Sequence, residues 1–125
     1  MDYTIRVERK IKVTDQDIDD IITTAFEGGI NYWCCKAEVI GDYLGEYASE
    51  QISRGGTVRL YDSVEDAVYD LTLENFMEGL TKAIEDNWYD SYGWYDGDCI
   101  DTCNVDADVA DVIIQLALFD DVIYG

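Results

Sequence analysis

Apolar and polar positions alternate from the start of the chain. Tyr3, Ile5 and Val7 are separated by Thr4 and Arg6, and Ile11 and Val13 continue the pattern. A period of two predicts a half-buried strand over 3–13 whose outer face carries the basic residues. The period then lengthens. Thr14-Asp15-Gln16-Asp17 reads as a capping box, and Ile18, Ile21, Ile22, Ala25 and Phe26 follow at helical spacing. A helix is expected from about Asp15 to Glu27, with Gly28 as its left-handed C-cap and Gly29 redirecting the chain.

Ile30 to Ile40 has strand composition, covered on both faces at first and wet on one face later. An irregular bridge runs from Gly41 through Tyr47 to Arg54-Gly55-Gly56. Thr57–Tyr61 and Ala67–Leu71 then form a predicted antiparallel hairpin around Asp62–Asp66. Thr72 is placed to cap a second helix from Leu73 to about Asp86, with Leu73, Phe76, Met77, Leu80, Ala83 and Ile84 on its apolar face. Asn87 to Val105 reads as a long acidic and aromatic loop. A last helix over 106–121 puts Val109, Val112, Ile113, Leu116 and Ala117 on one side, and Val122, Ile123 and Tyr124 form a short extension. The expected class is α+β, an antiparallel sheet of about four strands packed against three helices in one domain spanning 1–125.

Composition agrees with a packed core: 48% of the 125 residues are apolar and proline is absent, so disorder is a poor expectation. No segment reaches the ~20 consecutive apolar residues of a membrane helix. Charge changes the picture more. Twenty-eight acids face eight bases, there is no histidine, and the net charge is −20. Four of the bases, Arg6, Arg9, Lys10 and Lys12, lie in the first twelve residues, and none follows Lys82. Such a field repels nucleic acid and anionic lipid and attracts basic surfaces, so direct nucleic-acid or membrane binding is not expected.

Candidate chemistry is sparse. Lacking histidine, the chain has no side chain whose unperturbed pKa suits proton transfer at neutral pH, and no carboxylate pair is singled out among so many. Cys34 and Cys35 project to opposite faces of a strand, and Cys99 and Cys103 lack the usual zinc spacing. Free thiols, no metal, no cofactor and no enzymatic activity are the expectation. The segment Asp96-Gly97-Asp98-Cys99-Ile100-Asp101 resembles a fragment of a calcium loop but lacks its glycine at position six and glutamate at twelve.

Several stretches carry a resemblance. They are Glu27-Gly28-Gly29-Ile30-Asn31-Tyr32-Trp33, Arg54-Gly55-Gly56-Thr57, Leu71-Thr72-Leu73-Glu74, Asp106-Ala107-Asp108, the run from Ala110 to Phe119, and Val122-Ile123-Tyr124-Gly125. Over nearly the whole chain they resemble a widespread family of small acidic phage and prophage proteins, most without an assigned function. The resemblance implies a phage origin and the host bacterial cytoplasm, and it carries over no catalytic residue. In charge alone the chain is similar to anti-CRISPR and anti-restriction proteins that imitate DNA.

The leading functional expectation is therefore an inhibitor that occupies the basic groove of a host nuclease, a CRISPR effector first and a restriction enzyme second. Its expected contacts are the aromatics Trp88, Tyr92 and Trp94 with the carboxylates Asp90, Asp96, Asp98 and Asp101. A second expectation is a module binding a small molecule or signalling nucleotide in a pocket around Asn31, Tyr32 and Trp33, with Arg54 and Arg59 supplying local positive charge. A third is a phage housekeeping or assembly protein.

Overall fold

The computed structural model describes all residues 1–125. Helix α1 (Asp15–Thr24) starts at a reciprocal capping box: the Asp17 amide donates to Thr14 Oγ1, and the Thr14 amide donates to Asp17 Oδ2, both at 3.0 Å. Ile18, Ile21 and Ile22 form its buried face. The helix does not end in a left-handed glycine. Gly28 has no positive φ, and a wider π-type turn over Ala25–Gly29 ends the helix instead, closed by the Ile30 amide on the Ala25 carbonyl at 3.0 Å. Gly29 is the glycine that matters here: a Cβ on it would lie 2.8 Å from the Ala107 carbonyl oxygen.

Strand β1 (Cys34–Ile40) starts four residues later than the composition suggests, because Ile30 to Trp33 form a tight turn with the Cys34 amide bonded to the Ile30 carbonyl. β1 pairs antiparallel with β2 (Thr57–Asp62), and β2 with β3 (Ala67–Leu71), in the order β1-β2-β3. A bulge at Cys35 separates the buried Cys34 from the exposed Cys35. Val58 and Leu60 on β2 and Leu71 on β3 face the core, and Arg59 and Asp70 pair on the opposite, wet face.

Helix α2 (Leu73–Glu85) follows β3 directly, capped by Thr72, whose Oγ1 accepts from the Asn75 amide. Helix α3 (Ala107–Phe119) is capped by Asp106 and is buried continuously from Val109 to Leu116, including Asp111 and Gln115. It is the central element, not a half-exposed one. α2 crosses it so closely that a Cβ on Gly79 would lie 2.5 Å from the Ala117 amide nitrogen and 2.6 Å from the Ile113 carbonyl oxygen.

The fold is α+β, with three helices and a three-stranded sheet. The expected fourth strand of that sheet does not form. Residues 1–10 pair with no strand, and the chain's first ladder contact is a bridge from Lys12 to Cys99. Only Ile11 and Val13 of the alternating set pack on the core. The anchor at Lys12 sets the arm beside a separate two-stranded hairpin, β4 (Tyr95–Asp96) and β5 (Cys99–Ile100), instead of beside β1 or β3.

Gly79→Ala should lower stability by about 2–3 kcal/mol, the upper part of the overpacking range, because the atoms in its way are backbone. A urea titration should show an earlier midpoint with an unchanged slope.

Candidate functional site

The acidic and aromatic loop after α2 is organised by its rings. Trp94 is fully buried, and its indole N–H donates to the Trp88 carbonyl at 2.8 Å. Trp88, Tyr89 and Tyr95 are half-buried against the core, with Tyr89 and Tyr92 ring centroids 4.9 Å apart. Tyr89 adopts a left-handed backbone with φ 52°, a conformation costing a bulky residue about 1–3 kcal/mol. The surrounding ring contacts offset that strain. Gly97, with φ 60°, allows the two-residue turn between β4 and β5, so Asp96 to Asp101 form a hairpin and not a cation loop.

This corrects part of the expected contact group. Trp94 is a core residue and Trp88 is only partly accessible, since a large ring gains more from burial than from water contact. Tyr92 is exposed. Asp90, Asp96 and Asp98 are exposed, and their carboxylates enter no ion pair. Asp101 is also exposed, but its carboxylate accepts from the Cys103 amide at 3.2 Å and caps a short turn. The loop therefore presents carboxylates on a frame fixed by aromatic rings.

Across the molecule only Glu38, Glu50, Asp70 and Asp120 form ion pairs, with Lys36, Arg54, Arg59 and Lys82. Every base outside the first twelve residues is thus paired, and twenty-four of the twenty-eight acids have no cationic partner. An open groove of about 400 Å³ beside α2 continues the acidic character, with Glu78, Glu85, Asp86 and Asp120 on its walls. Arg54 and Arg59 are engaged by Glu50 and Asp70.

The expected pocket at Asn31, Tyr32 and Trp33 is also corrected. Trp33 is wholly buried, and Tyr32 and Trp33 point at one buried carboxylate. The Tyr32 hydroxyl donates to Asp111 Oδ2 at 2.5 Å, and the Trp33 indole N–H and Gln115 Nε2 donate to Oδ1 at 2.8 and 2.9 Å. Gln115 Oε1 in turn accepts the amides of Ile123 and Tyr124 at 2.9 Å. Tyr124 stacks on Trp33 at 5.4 Å between centroids, and its hydroxyl donates to Asp62 Oδ2 at 2.5 Å. The polar atoms of Tyr32 and Trp33 are thereby taken up by the protein's own groups. Asn31 instead borders a small cleft of about 120 Å³ shared with Phe26 and Cys34.

Asp62, Asp111 and Gln115 were not singled out by the sequence reading. The signal for two of them was present: Asp111 and Gln115 stand four apart in an otherwise apolar helix. Their partners lie far away in sequence and could not be read from spacing.

Burial first, and then the bond to Asp111, push the Tyr32 hydroxyl well above the ordinary phenol value; burial and Asp62 do the same to Tyr124. Burial alone would raise the Asp62 carboxyl, but bonds from Tyr124 and from the Glu65 and Val64 amides outweigh it and leave the group below its ordinary value. No three acidic or cysteine side chains converge as metal ligands. The Cys34 thiol is pushed up by burial, away from nucleophilic use.

The chain matches no protein-family model, no curated protein and no solved structure.

Asp111→Ala leaves three donors without their acceptor and should cost about 3 kcal/mol in a denaturant titration. The tyrosines make a pH prediction. Their folded-state values are raised, so their stabilisation is complete below the ordinary tyrosine value of about 10 and is lost as pH rises towards the folded values. In an alkaline titration followed by phenolate absorbance, Tyr32→Phe and Tyr124→Phe should each remove one late-titrating phenol. Asp62 acts at the other end. Its folded value is depressed, so its contribution is complete at neutral pH and is lost as pH falls below the ordinary aspartate range near about 4. Asp62→Asn should flatten the acid limb of stability against pH.

Proposed function

We propose that this chain is a phage-encoded inhibitor of a host defence nuclease and works by occupying the basic groove that normally holds nucleic acid. The observation that carries this reading is uncompensated charge: twenty-four carboxylates lack a cationic partner while every base of the folded body is already paired. Duplex DNA carries one negative charge per ~1.7 Å of axis, and a groove lined with Arg and Lys to receive it attracts any rigid surface of like charge. Self-repulsion on this scale works against folding, so a use in recognition is a better account than solubility alone.

The loop after α2 supports the reading. Trp94 and Trp88 hold it, so Asp90, Asp96 and Asp98 reach a partner with little ordering left to do. Tyr92 adds an exposed ring at the same surface. A CRISPR effector is the first candidate target and a restriction enzyme the second, both in the host bacterial cytoplasm. The chain itself binds no nucleic acid or membrane, because its field repels both.

The test is displacement of a labelled duplex from a panel of CRISPR effectors and restriction nucleases, followed by anisotropy. Displacement is expected at ~50 mM salt and should weaken steeply by ~200 mM. A triple variant with Asp90→Asn, Asp96→Asn and Asp98→Asn should compete at least ~10-fold less well at unchanged unfolding midpoint. No displacement anywhere in the panel at low salt, or full potency in the triple variant, would sink the reading.

A further inference from the structure

The N-terminal arm is built as a strand and has nothing to pair with. Its apolar set is almost fully in water, with Tyr3 84%, Ile5 81% and Val7 74% exposed. The base of the arm is fixed: the Lys12 amide donates to the Asp98 carbonyl, the Arg9 guanidinium bonds the Gly97 carbonyl at 2.8 Å, and it lies 5.2 Å from the Tyr95 ring centre. From there the first eight residues leave the surface of their own chain.

The arm also holds all the unpaired cations of the molecule. Arg6, Arg9, Lys10 and Lys12 enter no ion pair. With four bases against Asp2 and Glu8, residues 1–12 carry a side-chain charge of +2; the remaining four bases face twenty-six acids, giving −22. The surface best suited to this arm is one like that of its own body.

The sheet of that body offers an open edge. β1 is an edge strand, hydrogen-bonded only to β2. Beside it lies the cleft of about 120 Å³, lined by Phe26, Ile30, Cys34 and Ala37 among others. On the other edge strand, β3, Tyr69 packs against Phe119 at 4.9 Å between ring centres. We infer that the arm of one copy adds as an outer strand to the free edge of β1 in a second copy, reciprocally, and so builds a two-fold dimer. Residues 1–8 reach roughly 26 Å when extended, enough to run the length of a seven-residue strand. Ile5 and Val7 enter the cleft, and Thr4, Arg6 and Glu8 share the wet face with Lys36 and Glu38. Backbone pairing then satisfies a row of edge groups that is otherwise left to solvent.

Cys35, exposed at the bulge of β1, is a native reporter for this edge. The test compares the full chain with a variant lacking residues 2–8, which keeps Arg9 and Lys12, and with Ile5→Lys. It is run at ~0.15 M salt, where screening limits body-to-body repulsion to about 8 Å. Light scattering should give twice 14.2 kDa for the full chain and the single-chain mass for the truncated one. Ile5→Lys should weaken dimerisation at least ~10-fold, since the charge must enter an apolar cleft. Unchanged circular dichroism shows that both variants remain folded. Labelling of Cys35 by a thiol reagent should be slower in the full chain than in the truncated one. Under mild oxidation, Val7→Cys should cross-link to Cys35 between copies. A full chain that is monomeric up to ~100 μM would overturn the proposal and leave the arm to a different partner. So would a dimer that survives truncation, or one that is lost on truncation with no change at Cys35.

Discussion

One buried carboxylate organises this molecule. Asp111 lies in the middle of α3, surrounded by apolar residues, where an ionised group is tolerated only if its lone pairs are filled. Tyr32, Trp33 and Gln115 fill them. Each donor then fixes a different part of the chain. Tyr32 and Trp33 hold the junction between α1 and β1, and Gln115 gathers the C-terminal main chain at Ile123 and Tyr124. Tyr124 carries the linkage on to Asp62, whose other oxygen accepts the Val64 and Glu65 amides in the β2–β3 turn. The EGGINYW stretch, the run through Ala110 to Phe119, and VIYG all meet at this network.

The same economy of rings shapes the surface. Trp33 and Trp94 are spent on the interior, and Trp88 and Tyr89 brace the loop after α2. What remains outside is mostly carboxylate. The four ion pairs of the body use every base available there, so the acidic field is left without local compensation. The carboxylates of the loop after α2 thus sit on a frame that the aromatic rings hold in place.

The arm carries the opposite charge and the opposite structural condition. Its alternation is as clear as that of β2, yet it has no ladder. A strand is a cooperative object: the pattern decides which side chains share a face, while a neighbour supplies the hydrogen bonds. Lys12 is held at the β4–β5 hairpin, so the arm of this chain never meets the edges of the larger sheet.

The capping box of α1, the Thr72 cap of α2, the hairpin pairing of β2 with β3, the extents of α2 and α3 to within a residue or two, and the α+β class were legible from the sequence alone. These features depend on contacts between residues close in the chain, or on a period that burial of one face imposes. Tertiary structure decided the rest. Trp33 turned inward because Asp111 of α3 accepts its indole N–H and Tyr124 stacks on it, and Trp94 because the Trp88 carbonyl accepts its indole N–H within the core. Gly29 mattered in place of Gly28 because α3 passes against it. Asp111 found its donors seventy-eight and seventy-nine residues away in sequence. No local pattern encodes such pairings; they exist only once packing has brought the segments together.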